Sequence, residues 1–554
     1  MTGLSDALDR WLALGTPSTG EEQGEVSVTL TVGGAADFND VLTEHAGGHA
    51  FELRPAFRGS LVEETGGRFQ IVAFPKLRTS GAEQATFEAA RELGRLPGVR
   101  SARPVLIDSL VGETMVAREE GFELSLFSCS SDDDGPDARG WAPRGLGVLK
   151  AWKTSRGAGV TVASIDTGYS SHSQLKGVLS AKPQLNLVEG GADAKDLFSS
   201  DVMLPNPGHG TLVASVVASR GDIADSGDTG GVNDVVGTAP EAEILPIRAI
   251  RSVVDLRQSR IPAAIEHAID QRCDVIIMAL GSAFPIEPVE VALRAATRKG
   301  LVVVCAAGNC VGLVVYPAKF APLGLCTAVA AVDFAYAPWE KTSKGDAVTI
   351  SAFGEAVWGA SKNSSVGDDD LIKPSQGTTL ASSLTAGVAA LWVSAKGGRS
   401  TLKAHADAAG VTVQSLFNDA VAATAHRPPS GWPRGMGAGL INAAALVAYP
   451  LPTPAESMVQ VETPLDRVTP LKRLLASTAG EADPLAGLEA SGLPEDLAAE
   501  ALWRLYHSSA AKRAVASHGP SEGLESVAAG TAQKQTPELA RSLALRPRLR
   551  ALAQ

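Results

Sequence analysis

Apolar residues run almost without interruption through four short segments of the chain. These segments are AGVTVASI (158–165), AEILPIRAI (242–250), DVIIMAL (274–280) and LVVVCAA (301–307). Strands of a parallel sheet are covered on both faces and show this continuous pattern. The intervening stretch IPAAIEHAIDQRC has apolar residues at helical spacing, which indicates a βαβ crossover. We therefore predict an α/β domain with a doubly wound, mostly parallel sheet over residues 145–452.

Two further patterns accompany this domain. Residues 381–396 are apolar almost all round, which is typical of a helix that runs through a protein interior. Residues 25–107 begin with the alternating stretch EVSVTLTV, and FRGSLV (57–62) and RFQIVAF (68–74) predict a hairpin. A helical stretch and a closing strand, VRSARPVLI (99–107), follow. These patterns predict a small α+β domain ahead of the parallel sheet.

Composition defines the remaining segments. Residues 1–24 are an N-terminal extension without a basic leader or a long apolar stretch. Residues 108–144 contain the acidic stretch SCSSDDDGPDARG, which predicts a linker. Residues 453–554 are rich in Ala, Leu and charge and contain several helix starts, so we predict a helical C-terminal domain.

The net charge indicates which binding partners are unfavourable, and the cysteine content indicates the cellular compartment. The 554 residues carry a formal charge of −12, which argues against nucleic acid or an anionic membrane as a partner. The five cysteines form an odd set, which favours reduced thiols in a cytoplasmic protein. Two acidic loops, 130–137 and 366–371, lack an ordered ligand spacing, so we predict no metal and no other cofactor.

Four polar residues stand where ligands gather in open α/β sheets, at strand ends and turn-to-helix junctions. Asp166 ends the first strand, and Asn309 follows LVVVCAA. His209 stands between two glycines before an apolar run. Thr379 follows a Gly-led turn, where backbone N–H groups favour developing negative charge. Each residue alone also has an ordinary structural explanation, as a helix cap or a turn residue.

Together, these stretches resemble the subtilisin-like (subtilase) peptidase family, whose chain order is Asp, His and then the hydroxyl residue. His209 follows Asp166 by 43 residues, and Thr379 lies a further 170 along. The matching motifs are IDTG with SHSQL (165–175), HGTLVAS (209–215), GTAPEAEILPIRAI (237–250), YPAKF (316–320), GTTLASSLTAGVAAL (377–391) and GAGLINAAALV (437–447). The resemblance covers about residues 145–450 and implies a subtilisin-like fold.

The resemblance also implies a role for each residue. Asp166 would orient the imidazole of His209, which would act as general base toward the Thr379 hydroxyl and then as general acid toward the leaving amine. The Asn309 side chain and the Thr379 backbone N–H would donate to the oxyanion. Six residues would line an apolar pocket for the residue before the scissile bond: Ala279, Leu280, Gly281, Ala306, Ala307 and Gly308.

The chain departs from the family's pattern at the nucleophile, where Thr379 replaces serine. The β-methyl group of threonine stiffens χ1, so the oxygen could fail to reach both the histidine and the substrate carbonyl. Ser383 and Leu384 replace the usual Pro-His pair, and Ile277 and Ala279 stand where Asn and Ser are common. Three hypotheses stay open: an endopeptidase acting on protein or peptide substrates, a pseudopeptidase that binds peptides, and a protease silent until a partner engages the C-terminal domain.

Two further expectations concern other candidate nucleophiles and inhibition by the N-terminal domain. Ser382, Cys310 and Cys305 are weaker candidates for a nucleophile. Ser382 lies one turn further into the helix and would point away from the site if Thr379 points in, no histidine motif adjoins Cys310, and Cys305 fits a core position. Residues 25–107 resemble the propeptide inhibitor domain that precedes many subtilases. That resemblance implies that the domain blocks the cleft and that maturation cleavage falls within residues 108–144.

Overall fold

A computed structural model of the protein describes residues 26–104 and 136–452, apart from residues 33–41, 47–48, 66–67, 75–81, 137, 199–207, 222–234, 236, 252–259, 283–286, 310–313, 363–369 and 430. The predicted extension 1–24, most of the predicted linker 108–144 and the predicted C-terminal domain 453–554 lie outside the described residues.

The described residues form a seven-stranded sheet, a five-stranded sheet and a two-stranded ribbon, with flanking helices. The strands are β1 (Val26–Val32), β2 (Leu42–Ala46), β3 (His49–Pro55), β4 (Phe69–Phe74), β5 (Val99–Pro104), β6 (Thr161–Asp166), β7 (Leu185–Asn186), β8 (Glu243–Arg248), β9 (Val275–Met278), β10 (Val302–Ala306), β11 (Thr327–Val332), β12 (Ile350–Phe353) and the small ribbon β13 (Val357–Ser361) and β14 (Leu371–Ser375). The helices are α1 (Ser60–Thr65), α2 (Ala82–Gly94), α3 (Trp141–Gly145), α4 (Val148–Ala151), α5 (His209–Ala218), α6 (Ile261–Asp270), α7 (Glu287–Arg298), α8 (Thr378–Ala395), α9 (Gly398–Ala409), α10 (Val413–Thr424) and α11 (Ala443–Ala448).

The larger sheet has seven strands in the order β12-β11-β10-β9-β6-β8-β7, and every described pair of neighbours is parallel. This confirms the predicted doubly wound, mostly parallel sheet. The chain adds β8 and β7 on one side of β6 and then β9 to β12 on the other. Ligand sites in open α/β sheets form where the strand order reverses in this way, outside the carboxyl ends of the strands. Asp166, the last residue of β6, lies at that point.

Helix α8 runs through the interior, as the pattern over residues 381–396 predicts. Its residues from Thr378 to Val393 are all buried, and it packs on strands β9 to β12. By length and composition α8 could cross a membrane, but 89% of it is buried inside the protein. A helix that is apolar on every side is expected in such a core position. The first turn of α8 brings Thr379 to the carboxyl edge of the sheet.

Residues 26–104 form a five-stranded antiparallel sheet in the order β2-β3-β4-β1-β5. The predicted hairpin between FRGSLV and RFQIVAF is wrong, because β4 pairs with β3 and the end of FRGSLV begins α1. The first N–H groups of a helix lack partners inside the helix. Here Leu61 N donates to Glu266 Oε1 at 2.8 Å, and the Ser60 hydroxyl donates to Asp270 Oδ1 at 2.6 Å. Carboxylates of α6 therefore stabilise a helix that the local pattern does not predict.

The antiparallel sheet docks on the surface formed by α6 and α7. Phe57 and Leu61 belong to the same cluster of buried apolar side chains as the parallel sheet. At the start of α7, the carboxylate of Glu287 accepts hydrogen bonds from the hydroxyls of Thr31 at 2.8 Å and Ser101 at 3.1 Å. Apolar contact and hydrogen bonds to α6 and α7 thus both hold the N-terminal sheet in place.

Candidate active site

Three of the predicted residues lie together at the carboxyl edge of the parallel sheet. Asp166 ends β6, His209 is the first residue of α5, and Thr379 is the second residue of α8. Each helix is preceded by a glycine in the left-handed region, Gly208 with φ 70° and Gly377 with φ 130°. These turns allow both helices to begin beside the end of the same strand.

The carboxylate of Asp166 fixes the orientation of the His209 ring. His209 Nδ1 lies 2.8 Å from Asp166 Oδ1, and both side chains are buried. The N–H of Thr167 donates to the same Oδ1 at 2.7 Å. A carboxylate accepts hydrogen bonds, so Nδ1 carries the proton and Nε2 is left as the basic nitrogen.

The hydroxyl of Thr379 faces that basic nitrogen. Thr379 Oγ1 lies 3.3 Å from His209 Nε2. Hydrogen bonds between a nucleophile and its base are often this long in the absence of substrate. As the second residue of α8, Thr379 also presents a backbone N–H that has no acceptor within the helix. An acid, an imidazole and an alcohol are thus connected in series at the edge of the sheet.

Asn309 joins this group from the end of β10. Its Oδ1 accepts hydrogen bonds from the N–H of Thr378 at 2.9 Å and from the Thr378 hydroxyl at 2.8 Å. The Asn309 amide nitrogen therefore points away from the Thr378 hydroxyl. A Cβ atom placed on Gly377 would lie 3.0 Å from this nitrogen. Glycine at this position leaves the space beside the Asn309 amide open.

The two predicted substrate segments lie on either side of a valine that the sequence did not single out. Val315 N–H donates to the carbonyl of Ala307 at 2.9 Å. A Cβ atom on Gly281 would lie 2.3 Å from Val315 Cγ2, and one on Gly308 would lie 3.0 Å from Val315 Cγ1. The Val315 side chain therefore occupies the space beside both glycines. The other four predicted lining residues are buried: Ala279, Leu280, Ala306 and Ala307.

Of the weaker nucleophile candidates, Ser382 donates to the backbone, Cys305 is buried and Cys310 is outside the described residues. The hydroxyl of Ser382 donates to the carbonyl of Thr379 at 2.9 Å, and that of Ser383 donates to the same carbonyl at 2.8 Å. Burial and the neighbouring thiol of Cys326 raise the pKa of Cys305 well above its ordinary value, so Cys305 stays a thiol. Cys310 lies outside the described residues.

Metal-binding clusters are absent from the described part of the chain. Within the described ranges, no group of three or more His, Cys, Asp or Glu side chains is arranged to hold an ion. Most of the two acidic loops, 130–137 and 366–371, falls outside those ranges.

Three residues that sequence reasoning missed complete the surroundings of the site. Thr378 directly precedes the predicted Thr379, so the pair of threonines after Gly377 is the sequence feature that could have indicated it. Val315 directly precedes the YPAKF motif, which marks its position without revealing its neighbours. Asp196, which bonds to both the Asp166 and His209 loops, lies in a stretch without any motif.

The fold and the site define an α/β protein with a hydrolase-type series of acid, imidazole and hydroxyl. The sequence profile of the subtilase family, peptidase S8, matches residues 157–439, and the chain belongs to this family. The match confirms the resemblance that the sequence motifs carry.

Individual relatives cover parts of the chain. The intracellular serine protease of Paenibacillus polymyxa is 33% identical over 173 residues, which are 30% of this chain and 48% of that protein. The chain thus spans about half the length of that relative. Subtilisin DY of Bacillus licheniformis is 32% identical over 264 residues, which are 46% of this chain and 84% of that protein. Among solved structures, a protease of Pseudoalteromonas arctica superposes with a TM-score of 0.45 at 24% identity, covering 57% of this chain and 99% of that one.

Proposed function

We propose that the protein is a subtilisin-like endopeptidase in which Thr379 is the nucleophile. The carrying observation is the hydrogen-bonded series from Asp166 through His209 to Thr379, with the hydroxyl oxygen 3.3 Å from Nε2. A base within reach of an alcohol, itself oriented by a carboxylate, is the arrangement that activates such a nucleophile. Membership of the subtilase family supports the peptide bond as the target.

In the first step, Thr379 Oγ1 attacks the scissile carbonyl carbon while its proton passes to His209 Nε2. The oxyanion forms beside two donors, the Asn309 amide and the Thr379 backbone N–H. The C–N bond then breaks as Nε2 returns the proton to the leaving amine. Water then attacks the acyl ester while Nε2 takes its proton; the C–Oγ1 bond breaks, and Nε2 returns the proton to Thr379 Oγ1 as the acid product leaves. Asp166 accepts from the Nδ1–H of the ring, which leaves Nε2 to take up and return the proton.

The β-methyl group of Thr379 is expected to slow the reaction without preventing it. The hydroxyl oxygen reaches His209, so the methyl group leaves the oxygen available to the base. Threonine is stiff at χ1, however, and the oxygen must also reach the substrate carbonyl. Since a misplacement of ~1 Å costs ~100-fold in rate, we propose slow turnover.

The substrate pocket supports a small apolar side chain before the scissile bond. The two segments that carry Ala279 and Ala306 are apolar, and Val315 fills the space beside Gly281 and Gly308. A large aromatic side chain would require that space. We therefore propose peptides with a small apolar residue at this position as substrates.

The N-terminal sheet supports an inhibitory role for residues 25–107. Its docking on α6 and α7, through Glu266 and Glu287, is that of a unit held against the peptidase fold. We propose that this unit restrains the site in the intact chain. A cytoplasmic location is proposed from the similarity to a relative named as an intracellular protease, and residues 453–554 are proposed as the contact for a protein partner.

Peptide hydrolysis by position-379 variants tests the proposal. We expect the natural chain to cleave a peptide with alanine before the scissile bond slowly, and Thr379→Ser to raise kcat about 10- to 100-fold, because serine lacks the methyl group. Thr379→Ala should lose this activity. If Thr379→Ala hydrolyses the peptide as fast as the natural chain, Thr379 is not the nucleophile. If even Thr379→Ser does not hydrolyse it, the pseudopeptidase that binds peptides without cleaving them becomes the favoured hypothesis.

A further inference from the structure

A charged cluster around one buried arginine lies beside the strand end that carries the acid of the site. Arg248, the last residue of β8, is fully buried and is paired in register with Asp166 of β6. Its Nε and Nη2 atoms each donate to the carboxylate of Glu189 at 2.7 Å. Its Nη1 atom donates to the carbonyl of Thr167 and, at 3.3 Å, to Asp196 Oδ1. One buried cation thus pairs with the buried carboxylate of Asp196 and with the solvent-exposed carboxylate of Glu189.

The carboxylate of Asp196 accepts four hydrogen bonds. Its Oδ2 accepts from the Thr167 hydroxyl at 2.8 Å and from the N–H of Gly208 at 3.1 Å. Its Oδ1 accepts from the N–H of Phe198 at 2.9 Å and from Arg248. The residue is only 4% exposed, so these donors replace water as its hydrogen-bond partners.

Two of these four donors, Thr167 and Gly208, belong to the loops that carry the acid and the base. Thr167 directly follows Asp166, and its N–H donates to the Asp166 carboxylate. Gly208 directly precedes His209. The Thr167 hydroxyl also accepts from the N–H of Gly210, on the other side of His209, at 3.2 Å. The Asp196 carboxylate thus ties the loop of Asp166 to Gly208, and the Thr167 hydroxyl that it orients ties the same loop to Gly210.

The two loops are also in close contact, so they have little room to adjust. A Cβ atom on Gly168 would lie 2.1 Å from the carbonyl oxygen of Ala194, and one on Gly210 would lie 1.9 Å from the carbonyl oxygen of Gly168. A change in the hydrogen bonds of Asp196 would therefore be transmitted to the ring of His209.

We propose that Asp196 is a positioning residue that holds His209 against Asp166, acting through Thr167 and Gly208. This inference rests on the proposed function, because it assigns Asp196 a part in keeping the base aligned. Asp196 contacts neither substrate nor the reacting hydroxyl in this arrangement. Its effect is therefore expected in kcat and in the state of the imidazole, while KM stays unchanged.

Electrostatics distinguish the two carboxylates of the cluster. Burial raises the pKa of Asp196, although hydrogen bonds from Phe198 and Thr167 and the charge of Arg248 oppose the shift. Burial acts in the same direction on Glu189, but there the hydrogen bonds and charge of Arg248 contribute to a lowered pKa. Asp196→Asn and Glu189→Gln each remove one negative charge beside Arg248, so the comparison between them tests the hydrogen bonds that Asp196 accepts.

The test compares Asp196→Asn with Glu189→Gln in the full chain. Asparagine keeps the shape of the side chain but directs an NH2 group toward groups that donate hydrogen bonds. Glu189→Gln removes the other carboxylate of Arg248, and Glu189 itself lies outside both loops. We expect Asp196→Asn to lower kcat about 10- to 100-fold at unchanged KM, and Glu189→Gln to stay within about twofold. In ¹⁵N-histidine NMR, with His209 assigned by His209→Gln, we expect the Nδ1–H tautomer in the natural chain and in Glu189→Gln, and a mixture of tautomers in Asp196→Asn.

The NMR measurement separates this inference from the proposed function. A natural chain without turnover, whose His209 tautomer still depends on Asp196, would refute the peptidase and keep the positioning role. If Asp196→Asn does not fold, Thr167→Val removes the same hydroxyl donor and should shift the tautomer, with Thr167→Ser as the conservative rescue. An unchanged tautomer and kcat in the folded variant, or equal losses in Glu189→Gln, would overturn the inference.

Discussion

At residue 379 the difference between serine and threonine is one methyl group, and the chemistry of the site depends on it. The hydroxyl oxygen lies 3.3 Å from His209 Nε2, so in the proposed mechanism His209 can take the proton of this hydroxyl. The sequence motifs predict the residue types and their chain order. They do not predict the side-chain rotamer of Thr379, because that depends on neighbours distant in sequence.

The clearest prediction at the residue scale concerns Val315. Val315→Gly should free the space beside Gly281 and Gly308 and admit a large aromatic side chain. We expect the ratio of kcat/KM for phenylalanine over alanine before the scissile bond to rise at least about tenfold, since one or two methylene-sized groups in a pocket are worth roughly 10- to 200-fold. The measurement is hydrolysis of two peptides that differ only at this residue.

Val314→Ala is the matched control, because Val314 is the buried neighbour in the chain and its side chain faces Gly345. This variant should leave the ratio unchanged. A pocket that already prefers phenylalanine in the natural chain would contradict the assignment to Val315. Sequence reasoning selected the two glycine-containing segments but could not reveal what fills the space between them.

At the scale of elements, continuous apolar runs predicted the strands of the parallel sheet and the interior helix α8. The strands and the helix are buried on all sides, and such elements can be predicted because nearly all of their residues are apolar. Helix α1 was missed because the groups that stabilise its first turn, Glu266 and Asp270, lie on another helix. Local patterns carry no record of such a contact.

Glu266 gives a prediction about stability and pH. Burial raises the pKa of Glu266, although N–H groups of Arg58 and Leu61 donate to it and oppose the shift. The folded state then binds more protons than the unfolded chain between the ordinary and the raised pKa, so this contribution to stability is present at low pH and is lost as pH rises. Relative to the natural chain, Glu266→Gln should therefore gain unfolding free energy as pH rises from about 4 to 7.

Denaturant unfolding at several pH values measures this difference. Glu63→Gln removes a carboxylate from the exposed side of α1 and should follow the curve of the natural chain. A difference between Glu266→Gln and the natural chain that is constant over the whole range would refute the role of burial at Glu266.

On the scale of the whole molecule, the N-terminal sheet and the parallel sheet share one apolar core. The pattern of residues 25–107 predicted an α+β unit, and its docking surface became visible only in three dimensions. The hydroxyls of Thr31 and Ser101 both reach Glu287, at the start of α7. If docking restrains the site, weakening these contacts should raise activity.

Glu287→Lys tests this expectation in the intact chain. Loss of two hydrogen bonds to a charged acceptor should weaken docking enough to raise the initial rate of peptide hydrolysis about tenfold. Asp407→Lys makes the same charge change at an exposed residue of α9 that pairs with Lys403, so it should leave the rate unchanged. Equal rates in both variants and the natural chain would argue against autoinhibition.

The most direct measurement of the central claim is the covalent adduct formed with a fluorophosphonate probe. We predict one adduct per chain, located by mass spectrometry on the peptide that contains Thr379. Thr379→Ala should carry none, and Thr379→Ser should be labelled faster than the natural chain. An adduct that persists in Thr379→Ala, or a Thr379→Ser variant that stays unlabelled, would contradict the account.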